Sequence, residues 1–164
     1  MKKTDKFTSG DILEMAVQAK KKGIELYLAL AKNSGNYYVG KVFMELAKDE
    51  KRHKREMDAW LEKVKGEKRE EAYPGERALF LKSLVESSTF NCDTAQEKAL
   101  EKTIDEEDAL RAAVNFEKDF MLFLHELKKH VSEKEAGTID VLLDEEMRHI
   151  KDIFALKDKL EKGE

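Results

Sequence analysis

Residues 49–53 read Asp49-Glu50-Lys51-Arg52-His53, and residues 145–149 read Glu145-Glu146-Met147-Arg148-His149. Each stretch holds a Glu-x-x-His pair inside a long run with helical patterning. Side chains three apart on a helix share a face. Each pair therefore aims a carboxylate and an imidazole at one point. Two such pairs, on two helices of a four-helix bundle, form the ligand pattern of carboxylate-bridged dinuclear metal sites. One pair alone would mean little in a chain so rich in Glu; two pairs at matching places in the sequence point to metal chemistry.

Outward from these pairs, apolar residues at helical spacing predict four long helices. The first begins near Ser9 or Asp11, both good N-cap types. Its stripe is Leu13, Ala16, Val17, Ile24, Tyr27, Leu28 and Ala31, and it stops at Asn33-Ser34-Gly35. The second runs from about Tyr37 to Val64, with Val42, Leu46, Met57, Trp60 and Val64 inward, and ends at Gly66. The third begins near Asp105 with an acidic first turn that suits the helix dipole. Its stripe is Leu110, Ala113, Val114, Met121 and Leu124. The fourth opens at Ser132, where Glu135 completes a capping box, and turns Ile139, Leu142, Leu143, Ile150 and Ile153 inward.

Short loops join the first helix to the second and the third to the fourth. This predicts two antiparallel hairpins, at about 9–65 and 105–161. The connection at about 66–104 carries a turn signal at Tyr73-Pro74-Gly75 and apolar residues at Leu79-Phe80-Leu81 and Leu84-Val85 that suggest a short helix. Ser87-Ser88-Thr89-Phe90-Asn91 breaks it. The expected fold class is all-α, a four-helix up-down bundle of two antiparallel hairpins with a long connection between them, in a single domain of 164 residues.

Composition agrees with long amphipathic helices: 40% charged, 41% hydrophobic and one Pro. The net charge of −4 gives no basic patch for nucleic acid, so no nucleic-acid partner is expected. No apolar run is long enough to span a bilayer, so no membrane partner is expected either. Met1-Lys2-Lys3-Thr4-Asp5-Lys6 is not followed by an apolar segment, so no secretion signal is expected. Cys92 is the only cysteine, which excludes an intrachain disulfide and fits a reduced, cytoplasmic compartment.

The halves behave as repeats. A shift of 97 carries Leu13 onto Leu110, Ala16-Val17 onto Ala113-Val114, Ile24 onto Met121 and Tyr27 onto Leu124. A shift of 96 carries Glu50, His53 and Met57 onto Glu146, His149 and Ile153. Two hairpins related in this way would face their Glu-x-x-His pairs across the core. Glu50, His53, Glu117, Glu146 and His149 all interrupt apolar stripes, and a buried unpaired charge is costly. These five are the candidate metal ligands. His125 reads as a flank residue and His130 as a last-turn cation; Trp60, Met57 and Met121 read as core, and Cys92 as an incidental thiol.

On these residues the chain resembles the ferritin-like superfamily, specifically a rubrerythrin-type di-iron carboxylate domain without a rubredoxin domain. The resemblance covers both hairpins. It implies an oxidoreductase that reduces peroxide or oxygen under oxidative stress, or an iron-oxidising protein, with one or two Fe per chain and Mn or Zn as alternatives. It implies bridging Glu50 and Glu146, each with its His, a terminal Glu117, a separate electron donor, and a homodimer in which hairpins can be exchanged. One position departs from the family. The first-helix Glu of that family stands seven residues before a Tyr; here Tyr27 is preceded at that distance by Lys20, and the repeat pairs Lys20 with Glu117. Glu25 lies about 140° round the helix and Glu14 about 120°, so neither replaces it. Lys20 is expected either to place its ammonium beside the carboxylates or to snorkel to solvent. The departure keeps open a metal-binding or degenerate structural protein with one metal or none.

Overall fold

The computed structural model describes residues 9–66, 75–86 and 93–163. Over these residues the chain is all-helical, with six helices. They are α1 (Ser9–Asn33), α2 (Tyr37–Gly66), α3 (Gly75–Glu86), α4 (Asp93–Leu100), α5 (Glu106–Lys128) and α6 (Glu133–Lys162). The four long predicted helices are α1, α2, α5 and α6. The turn at Tyr73-Pro74, the break at residues 87–91 and Cys92 lie outside the described residues. None of the described helices is long and apolar enough to cross a membrane.

Caps set most of the ends. Asn36 Oδ1 accepts from the backbone N–H of Tyr38 at 2.9 Å and of Val39 at 3.3 Å, which starts α2. Asp105 caps α5 through the N–H of Asp108. Ser132 and Glu135 form the predicted capping box of α6, and Gly163 ends α6 at φ 70°, a left-handed conformation suited to glycine. α1 begins at Ser9 among the described residues, close to the expected start, with Asp11 in its first turn. His130 follows the end of α5 and sits 3.3 Å from Glu126 Oε1.

α1 packs along α2 and α5 along α6, so each long helix lies against its neighbour in sequence and forms a hairpin-like pair with it. The hairpins meet through α1 on α5 and α2 on α6. The connection holds two helices where one was expected. α4 lies on α1 with Ala99 fully buried, and α3 buries Leu81 against the same core. Trp60, Val42 and Val64 are only partly buried; Val39, Phe43 and Leu61 take the inward positions of α2. Trp60 donates Nε1–H to Glu135 Oε1 at 3.1 Å, linking the end of α2 to the start of α6.

Large rings fill the middle. Phe116, Phe120 and Phe123 of α5 are buried and stacked in sequence. Phe116 meets Tyr27 edge-on at 5.9 Å, and Tyr27 stacks on Phe43 at 6.0 Å. Gly23 allows α1 to approach this row. A Cβ there would lie 2.4 Å from Phe116 Cζ and 2.6 Å from its Cε1. The ring is fully buried between Tyr27 and Phe120, so it must shift within a packed interior to admit a methyl group. Alanine favours a helix by about 1 kcal/mol over glycine, but overpacking a core costs roughly 1–3 kcal/mol. Gly23→Ala is therefore expected to lower the urea midpoint, and a raised midpoint would show that the ring yields.

Candidate metal centre

All four long helices send a polar side chain into this apolar interior. α1 supplies Lys20 and Tyr27, α2 supplies Glu50 and His53, α5 supplies Glu117, and α6 supplies Glu146 and His149. Every one is buried, at 0–1% exposure, in a place where an unpaired charge is costly. Helical spacing explains the convergence: Glu50 and His53, like Glu146 and His149, sit three apart on one face.

Glu50, Glu117, Glu146 and His149 each offer one ligand atom within 4.8 Å of the others. His149 Nδ1 lies 3.2 Å from Glu146 Oε2, 3.5 Å from Glu50 Oε1 and 3.5 Å from Glu117 Oε1. An ion with bonds of about 2.1 Å at tetrahedral angles sets its ligand atoms roughly 3.4 Å apart. The spacing fits an ion. So do the orphaned atoms: Glu50 Oε1, Glu117 Oε2 and His53 Nδ1 are buried without a hydrogen-bond partner among the described residues. A donor set of three carboxylates and one imidazole suits Fe(II), Mn(II) or Zn(II).

His53 stands outside that group of four. Its ring stacks on His149 at 5.6 Å, and its Nδ1 lies 3.3 Å from Glu146 Oε1 and 3.6 Å from Glu50 Oε1. These distances give charge attraction without hydrogen-bond alignment. Lys20 does not snorkel. It is fully buried, and its Nζ lies 2.6 Å from Glu50 Oε2 and 2.6 Å from Glu146 Oε1. Tyr27 donates its hydroxyl to Glu117 Oε1 at 2.5 Å, which fixes that carboxylate.

Without an ion, the cluster redistributes its protons. Burial pulls Lys20 down, but Glu146, Glu50 and Glu117 outweigh it and hold the ammonium charged. Burial pushes Glu146 up, but Lys20 and the two imidazoles keep it well below the usual carboxylate range. Burial and the carboxylates of Glu146 and Glu50 push Glu117 up. Burial opposes charging of the imidazoles, yet the carboxylates raise His53 to about 9 and His149 to about 11.

The outer edges of both imidazoles are held from the opposite hairpin. His149 Nε2 lies 3.2 Å from Asp49 Oδ2, which also accepts from Arg148 Nη2 at 2.9 Å. His53 Nε2 lies 2.5 Å from Glu145 Oε2, with Arg52 Nη2 at 3.2 Å. A carboxylate at Nε2 keeps a proton there and turns Nδ1 inward as a ligand. Sequence reasoning missed these four residues, although the signal was present: the 96-residue shift also carries Asp49 onto Glu145 and Arg52 onto Arg148. Asp49→Ala is expected to weaken metal affinity by about 10–100-fold. Competition against a chromophoric chelator measures this, and unchanged affinity would remove Asp49 from the centre.

An all-helical domain whose interior gathers three carboxylates and an imidazole around one point belongs to the class of helical proteins with a candidate carboxylate–histidine metal centre. Within that class, the chain belongs to the rubrerythrin family, whose sequence profile matches residues 11–157. No curated protein and no solved structure matches it.

Proposed function

We propose that this chain is a non-haem iron protein whose two hairpins form a four-helix up-down bundle of the ferritin-like type, and that it acts as an oxidoreductase on peroxide or oxygen. One observation carries the reading. Glu50, Glu117, Glu146 and His149 converge while Glu50 Oε1 and Glu117 Oε2 lack a hydrogen-bond partner among the described residues. Iron in such a place supplies electron transfer to peroxide or oxygen. The protein's part is to hold the four ligands, fix Glu117 through Tyr27, orient His149 through Asp49, and exclude bulk water with Phe43 and Phe116. One cysteine cannot build a four-cysteine iron site within these residues, so in this reading electrons come from a donor outside them. Cytoplasmic residence and a homodimer with exchangeable hairpins belong to the same reading, the second resting on the length of the connection.

A second reading is favoured by the placement of Lys20, which already neutralises part of the cluster. In it the protein binds metal, or none, without turnover. Fe(II) loading followed by peroxide consumption with an external reductant separates the two. Peroxide consumption above free iron supports the first reading; a loaded but inert protein supports binding alone. Chelation should lower the melting temperature of the loaded protein, as removal of a ligand specific to the folded state does. A melting temperature indifferent to Fe(II) and chelator alike would leave the structural reading standing.

A further inference from the structure

We propose that Lys20 is a built-in cation standing in the place of one ion of a two-ion site, so that the centre holds a single divalent metal. This rests on the metal-binding reading above. The first support is position. Lys20 Nζ bridges one oxygen of Glu50 and one of Glu146, each at 2.6 Å. These two carboxylates are repeat mates on α2 and α6, and each stands beside its own histidine. A bridging cation belongs between them, and the ammonium is there.

The second support is charge. The repeat pairs Lys20 with Glu117. Lys in place of Glu changes the interior by two positive charges, the charge of one divalent ion. Glu50, Glu117 and Glu146 against Lys20 leave two negative charges, which one divalent ion cancels. A second ion would leave two positive charges in a space closed to water, where unbalanced charge is strongly disfavoured.

The third support is a seat. The Phe120 ring centroid lies 3.7 Å from Lys20 Nζ, within cation–π range, and that of Phe116 lies at 5.9 Å. The 97-residue shift pairs Phe120 with Gly23 and Phe116 with Ala19. Beside Lys20 α1 is small, and where it faces Lys20 α5 is aromatic. The ammonium thus rests on a ring face that exists on one side of the repeat only. On this account His53 is not a ligand, consistent with its place outside the group of four, and the charge it carries is answered by Glu145 at its outer nitrogen.

The test is Zn(II) stoichiometry of the full chain after chelator stripping, read by elemental analysis. Wild type should bind one ion per chain and Lys20→Glu two. Two ions in wild type would overturn the inference while leaving metal binding intact, as would one ion in both proteins. If wild type binds none, the metal-binding reading fails. The single-ion count fails with it, and the variant decides what is left: ions gained by Lys20→Glu support displacement by the ammonium, and none overturns it. Should Lys20→Glu not fold, Lys20→Met removes the charge at similar volume. It should melt lower than wild type in chelator and gain more from Zn(II). An equal gain in the two proteins would overturn the inference.

Discussion

Glu146→Ala is expected to abolish metal binding and to destabilise the metal-free chain by about 3–5 kcal/mol, the usual cost of removing one partner from a buried ion pair. Glu146 is the carboxylate through which the cations of the centre connect. It lies 2.6 Å from Lys20 Nζ, 3.3 Å from His53 Nδ1 and 3.2 Å from His149 Nδ1. Its removal leaves a buried ammonium facing Glu50 alone and opens a cavity beside the rings. It also deletes one of the four convergent ligands. Urea denaturation in chelator gives the stability change, and Zn(II) titration gives the binding. Glu146→Gln keeps the volume and should fold better, yet still bind weakly, because the lost charge is what Lys20 and the ion require. A loss under about 1 kcal/mol for Glu146→Ala would mean that water enters and replaces the carboxylate, contrary to the enclosure described above.

The metal-free protein is expected to lose stability as pH rises from neutrality towards 10. His53 and His149 are raised from 6.5 to about 9 and about 11 in the folded chain. A raised pKa means that the folded state holds the proton more firmly. The resulting stability is fully present below pH 6.5 and is lost as pH climbs through 9 and then 11. Glu117 acts in the same sense. Burial and the neighbouring carboxylates favour its neutral form on folding, so rising pH favours the unfolded chain, in which it ionises freely. Glu146, held low, works on the acid side, where its contribution disappears as pH falls. Melting curves in chelator at pH 7, 8.5 and 10 measure the trend. Zn(II) should blunt or reverse it, because the ion must displace the proton from His149 Nδ1 and is favoured by alkali. A metal-free melting temperature that is flat or rising over this range would show that the imidazoles are not charged.

Much of this was readable before any coordinates. The two Glu-x-x-His pairs, the capping box at Ser132 and Glu135, and the repeat shifts located the four long helices, because period and cap chemistry are local properties. The direction of Lys20 was not readable. Lys21 is exposed and Lys22 half-buried, so a run of three lysines hides one that points the other way. Only the partners across the interior, Glu50 and Glu146, decide its orientation. α4 escaped because eight residues are too few for a periodic pattern, and its single fully buried residue is Ala99. Phe116 and Phe120 lie on a face of α5 turned towards Lys20, Gly23 and Tyr27 of α1. A single inward stripe cannot represent a helix covered on several sides.

The exchange of supports between hairpins makes each half of the chain answerable to the other. Asp49 steadies His149 and Glu145 steadies His53, so positions about a hundred residues apart are tied in pairs. A loss at either support is therefore expected to slacken a ring carried by the other half of the chain, so the two halves hold their imidazoles only together.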